Sequence, residues 1–183
     1  MSHWIILALI PFALQGMALG VDEFHCHMRR GLLRWERLGH SLDTLSVFVV
    51  NAFAFALMFS SEQLFVFIIL ALFSCLFVTK DEWVHARECN AFEHWLHSVL
   101  FVCHPMTFVS TCFFWVARDN PAAIGLESRE SSLAAMILGG QVAVLGLFLV
   151  YQVTYWNFFR PRVFAASEKS SLRGMQSASA DPQ

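Results

Sequence analysis

Residues 22–43 read DEFHCHMRRGLLRWERLGHSLD, and residues 81–98, DEWVHARECNAFEHWLHS, follow the same plan. Each stretch opens on Asp-Glu before an aromatic, reaches a histidine within a few residues, crosses a short polar connector and closes on Glu-x-x-x-His-Ser. Both are polar islands between long apolar runs, and that contrast decides the fold.

The chain has 183 residues, 57% of them hydrophobic and only 14% charged, with a mean hydropathy of +0.55. A soluble domain carries far more polar surface. The apolar residues fall into runs near 4–21, 42–60, 63–79, 96–117 and 132–156. Each run is long enough to cross about 30 Å of hydrocarbon at about 1.5 Å per residue. The sequence therefore predicts an all-α integral membrane protein with five transmembrane helices. No basic residue precedes the first run, which passes straight into the first motif, so it reads as a membrane helix and not a secretion signal.

Lys and Arg set the expected orientation. Arg29, Arg30, Arg34, Arg37, Lys80, Arg87, Arg160, Arg162, Lys169 and Arg173 fall on the side that carries both motifs, against Arg118 and Arg129 on the other. This asymmetry predicts an inner or plasma membrane protein with its N-terminus outside and its motifs and C-terminus cytoplasmic. Trp35, Trp83, Trp95 and Trp156 at one set of ends, with Trp4 and Trp115 at the other, are expected at the headgroup level.

Helix, motif, helix occurs twice in the same topology. The expected domain covers residues 1–164, with repeat one at 1–60, repeat two at 61–117 and the fifth helix at 132–156. The two parallel-repeat hairpins would form a four-helix bundle, with the fifth helix added to it. Gly16 with Gly20, and Ala135 with Gly139, form small-x-x-x-small faces suited to close helix contact. The Ser- and Ala-rich segment 165–183 is expected to be a disordered cytoplasmic tail.

Residues four apart share a helix face. Four carboxylate–histidine pairs have that spacing: Glu23 with His27, Glu36 with His40, Asp81 with His85 and Glu93 with His97. Each falls at the motif end of a different helix, so short connectors would bring all four to one height. One such pair is an ordinary surface ion pair worth a few tenths of a kcal/mol. Four at one level, at the ends of membrane helices where ionisable groups are costly, point to a metal site.

Further candidates flank these pairs. Asp22, His25 and Glu82 offer a shorter carboxylate–histidine spacing, and His94 and His104 are secondary ligands. Asp43 and Glu88, three residues beyond His40 and His85, are placed to orient a histidine or relay a proton.

Helices that each project a carboxylate and a histidine inward resemble the ferritin-like and membrane-bound di-iron carboxylate proteins in architecture. Those proteins use Glu-x-x-His on two helices, where this chain has Glu-x-x-x-His. Mixed carboxylate and imidazole ligands suit iron foremost, with zinc or manganese as alternatives, and the symmetric sets predict two ions. The leading expectation is a di-iron oxidoreductase acting on a lipid-soluble substrate that arrives from the bilayer, served by an electron donor protein. A zinc-type hydrolase is the alternative enzyme, and a metal sensor, carrier or assembly factor the alternative without turnover.

Cys26, Cys75, Cys89, Cys103 and Cys112 form no C-x-x-C pair. The basic residues of the first connector are most simply determinants of topology and contacts for lipid headgroups. No phosphate loop or nucleic-acid motif is present.

Overall fold

The computed structural model describes residues 3–82, 86 and 89–160. Among them all regular structure is helical. Five helices are long and apolar enough to cross a membrane: His3–Arg30 (α1), Arg34–Ala56 (α2), Ser61–Lys80 (α3), Ala91–Asp119 (α4) and Ser128–Phe159 (α5).

Four of the five extend beyond their apolar runs at the motif end. α1 continues to Arg30, α2 begins at Arg34, α4 begins at Ala91 and α5 runs on to Phe159. For α2 and α4 the local reason is capping. Asn90 Oδ1 accepts from the backbone N–H groups of Phe92 and Glu93, both at 3.0 Å, at the start of α4. Glu36, three residues inside α2, accepts from the Leu33 N–H at 2.9 Å. Polar residues that satisfy the free N–H groups of a first turn lengthen a helix past its hydrophobic part.

α1 packs on α4, α2 on α5, and α4 on α5, with α3 against α2 and α4. The fifth helix, expected as an addition to the first four, thus lies along two of them. Ser60 caps α3 by accepting from the Gln63 N–H at 3.2 Å. At the end remote from the motifs, the Leu57 carbonyl that closes α2 accepts from the Trp115 indole at 2.8 Å and from Arg118. Asp119 receives the Phe59 N–H at 2.7 Å and pairs with Arg118 at 2.6 Å. The turn from α2 to α3 is therefore locked by the last turn of α4.

Trp115 is fully buried, with Phe53, Phe59 and Phe67 around its ring. Trp156 is also buried. Neither faces outward as an interfacial aromatic would, whereas Trp4, Trp35 and Trp95 do. The two small-residue faces also differ. A Cβ built on Gly139 would meet the Phe55 ring of α2 at 3.3 Å, a close approach. On Gly16 or Gly20 it would meet nothing within 4 Å.

Candidate metal centre

Asp22–His27 near the end of α1 is a π turn, and the Met28 N–H reaches back to the Glu23 carbonyl. Bonding five residues back adds one residue to the turn, so positions five apart share a face. Asp22 is thereby brought onto the face of His27, a relation that four-residue spacing does not contain. Oδ2 of Asp22 lies 3.3 Å from Nε2 of His27.

α4 supplies the other half of the cluster. Asn90 fixes its first turn, and Glu93 and His97, four apart, point the same way. Nε2 of His97 lies 3.2 Å from Oδ1 of Asp22, and Oε1 of Glu93 lies 3.8 Å from Nε2 of His27. Ligand atoms from Asp22, His27, Glu93 and His97 all lie within 4.8 Å of one another, and all four residues are buried. Bonds of about 2.0–2.2 Å from a metal to oxygen and nitrogen place opposite ligands about 4.0–4.4 Å apart. A contraction of a few tenths of an ångström would complete the set, so this group could hold a metal ion.

The surroundings of His27 sharpen that reading. Its Nδ1 lies 3.4 Å from Oε2 of Glu23. Oε1 of Glu23 accepts from the Trp156 indole at 2.6 Å and from the Tyr151 hydroxyl at 3.0 Å. Nε2 of His27 makes no hydrogen bond among the described residues and points between two carboxylates. A carboxylate that holds one imidazole nitrogen so that the other faces an ion is the usual outer shell of a metal-binding histidine.

Glu36 is placed differently. The guanidinium of Arg30 grips both of its oxygens, at 2.8 and 3.2 Å, and also reaches Oε1 of Glu93 at 3.0 Å. Arg30 therefore bridges α2 and α4 next to the cluster. Asp22, Glu23, Glu36 and Glu93 are all buried. Arg30 offsets part of that charge, while Trp156 and Tyr151 satisfy Glu23 without neutralising it. Among the described residues the partners of Asp22 are the two imidazoles. Burying carboxylates without compensating charge is costly, and a cation at the cluster would remove that cost.

His40 stands beside the cluster, its ring centroid 4.6 Å from that of His27. It lines a cavity of about 90 Å³ together with Asp22, His97 and His104. Asp43 opens onto the same cavity and pairs with Lys80 at 2.7 Å. His104 is bonded to Ser74, at 3.1 Å from its Nε2, and Ser74 to Ser46 at 2.7 Å. His25 is exposed beside Arg29, and His94 faces Glu82 at 3.8 Å on the periphery. His85 and Glu88 lie outside the described residues, as do the side chain of Asp81, Trp83, Arg87 and the segment 161–183. Cys89, between α3 and α4, is held protonated: burial, reinforced by Glu93, pushes its thiol well above the ordinary range.

Each of the two polar stretches thus contributes one carboxylate and one histidine to the four-residue group. Sequence reasoning did not find Arg30, Tyr151 or Trp156 at the site. Arg30 sits among three other connector arginines that share the simpler role of setting topology. Trp156 has the position of a headgroup aromatic. Trp156 reaches Glu23 from within a second π turn, Tyr155–Phe159, and Arg160 just beyond it donates to the Met28 carbonyl. Comparison with protein-family models, curated proteins and solved structures found no match.

Proposed function

We propose that the chain is a metal-dependent membrane oxidoreductase that uses iron, bound by Asp22, His27, Glu93 and His97, to act on a lipid-soluble substrate. The observation that carries the metal reading is the two-sided environment of His27, with Glu23 at Nδ1 and carboxylate oxygens around Nε2. Two imidazoles and two carboxylates neutralise a divalent ion and leave one positive charge on a trivalent one, a small change suited to cycling between those states. Bound iron would supply one-electron chemistry.

Two features favour redox chemistry over hydrolysis. Glu23 is hydrogen-bonded to two oxidisable aromatics, and Tyr151 stacks on Tyr155, which meets Trp156 edge-on, with ring centroids 5.3 Å apart in both contacts. Asp43, one of the two carboxylates, with Glu88, that could relay a proton to a hydrolytic water, is committed to Lys80. A donor protein or dioxygen would serve as the second redox partner.

A second ion, expected from the symmetry of the motifs, would have to compete with the Arg30 guanidinium between Glu36 and Glu93. The reading that fits this arrangement best is one ion with Arg30 as the neighbouring positive charge. Elemental analysis of protein purified without a metal-affinity tag, with optical and EPR spectra before and after reduction, tests it. About one iron per chain with spectra that change on reduction is expected. Zinc alone, or full metal content in His97→Ala, would overturn it.

A further inference from the structure

A cavity of about 500 Å³ lies between α1, α2, α4 and α5, within the size range of small-molecule sites. Its walls include Gly16 and Gly140, both exposed, and Gly20. At each of the three a Cβ would meet nothing within 4 Å. These glycines do not draw helices together; they leave an opening on the apolar flank of the protein. Leu19, Val47, Leu145 and Phe148 line both this cavity and the smaller one beside Asp22 and His97.

Gln15 also lines both cavities. It precedes Asp22 by seven residues, about two helical turns or 10 Å along α1. It is 9% exposed, and its Oε1 is buried with no hydrogen-bond partner among the described residues. The neighbouring polar groups are already used: Asn51 donates to the Val47 carbonyl and accepts from Thr111, and Thr107 donates to the His104 carbonyl. An acceptor left unpaired in an apolar wall costs about 1–3 kcal/mol unless a ligand supplies a donor.

We propose that this cavity binds a molecule with a hydrocarbon chain and a hydroxyl head. The chain lies along the glycine-lined wall, and the hydroxyl donates to Oε1 of Gln15 at the passage toward the metal cluster. Long-chain alcohols and quinols share this chemistry. The proposal rests on the metal-centre reading only for what the bound molecule is for; the pocket itself stands on its own geometry.

The test uses the full chain in phosphatidylcholine nanodiscs, labelled with hexadecanol carrying a photoactivatable diazirine in its chain, and in parallel with the methyl ether of the same probe. Label is expected on the α1 and α5 segments that face the cavity, displaced by unlabelled hexadecanol and not by its ether. Gln15→Leu should weaken displacement by the alcohol about five- to tenfold and leave the ether unchanged. Gly140→Phe should remove the label by filling the cavity. Equal retention of alcohol and ether, or label unchanged in Gly140→Phe, would show a groove for lipid tails only and overturn the proposal. Metal content measured on the same samples separates the two readings. Iron without alcohol preference defeats the pocket alone, and alcohol preference without metal defeats the metal centre alone.

Discussion

The indole N–H of Trp156 donates to Oε1 of Glu23 at 2.6 Å, joining the last turn of α5 to the carboxylate that holds His27. A residue near the end of the described chain is thus linked through Glu23 to a candidate ligand on the first helix. Glu23→Gln should lower metal affinity about ten- to hundredfold, because it weakens the partner of His27 without removing a ligand. Trp156→Phe keeps an aromatic ring and loses only the donor, so about three- to tenfold is expected. Titration against a competing chelator gives both values; unchanged affinity in Glu23→Gln would show that His27 is not a ligand.

Glu36 and Glu93 share Arg30, and the two carboxylates should separate cleanly in mutants. Glu93→Gln alters a candidate ligand and should abolish tight metal binding. Glu36→Gln should retain the ion but destabilise the fold by about 1.5–3 kcal/mol, because Arg30 loses its charged, bidentate partner while keeping Glu93. Metal content and thermal unfolding, measured together on both variants, decide the assignment. Loss of metal in Glu36→Gln with Glu93→Gln unaffected would reverse it.

Metal removal should loosen the protein at the motif end first, where Asp22, Glu23, Glu36 and Glu93 are buried together. At free iron about a hundredfold above Kd, binding adds about 2.7 kcal/mol to stability, so chelation should lower the unfolding temperature. Protons compete with the ion for the two imidazoles and two carboxylates. Affinity should therefore rise with pH and fall on acidification, with protons released on binding. Calorimetry of iron binding in two buffers of different ionisation enthalpy measures that release, and a heat independent of buffer would count against the ligand set.

Gly31 forms the link between α1 and α2 at φ 81° and ψ 161°, a conformation open essentially to glycine alone. Its N–H also closes α1 by donating to the His27 carbonyl at 2.7 Å. Gly31→Ala should cost about 1–3 kcal/mol and displace Arg30, the residue before it, from Glu36 and Glu93. Hydrogen exchange at the start of α2 should accelerate in this variant while the α4 end near Trp115 stays protected.

Much of this architecture can be read from hydropathy alone, since the five apolar runs map onto five long helices. The ends of those helices cannot, because capping by Asn90 and Glu36 extends them through residues that a hydropathy count treats as polar breaks. At the site, Glu93 and His97 follow ordinary helical spacing and are legible as a pair. Asp22 is not legible as the partner of His27, because the π turn changes which residues share a face. Pairing across helices, as with Arg30 or Trp156, depends on the rotation of one helix against another, and no periodicity within either segment encodes it.

That π turn has a consequence for how the protein tolerates change. One residue more than an α-helical turn offsets everything upstream by about 100° around the helix axis. Gln15 and Asp22, seven residues apart, lie on one face of α1, and the added residue in the turn brings His27 onto that face as well. Deleting a single residue such as the exposed Phe24 would remove none of the four candidate ligands, yet it would rotate Asp22 and the wall upstream of it relative to His27. In this segment the number of residues is itself a structural constraint, and length changes should prove more damaging there than most substitutions.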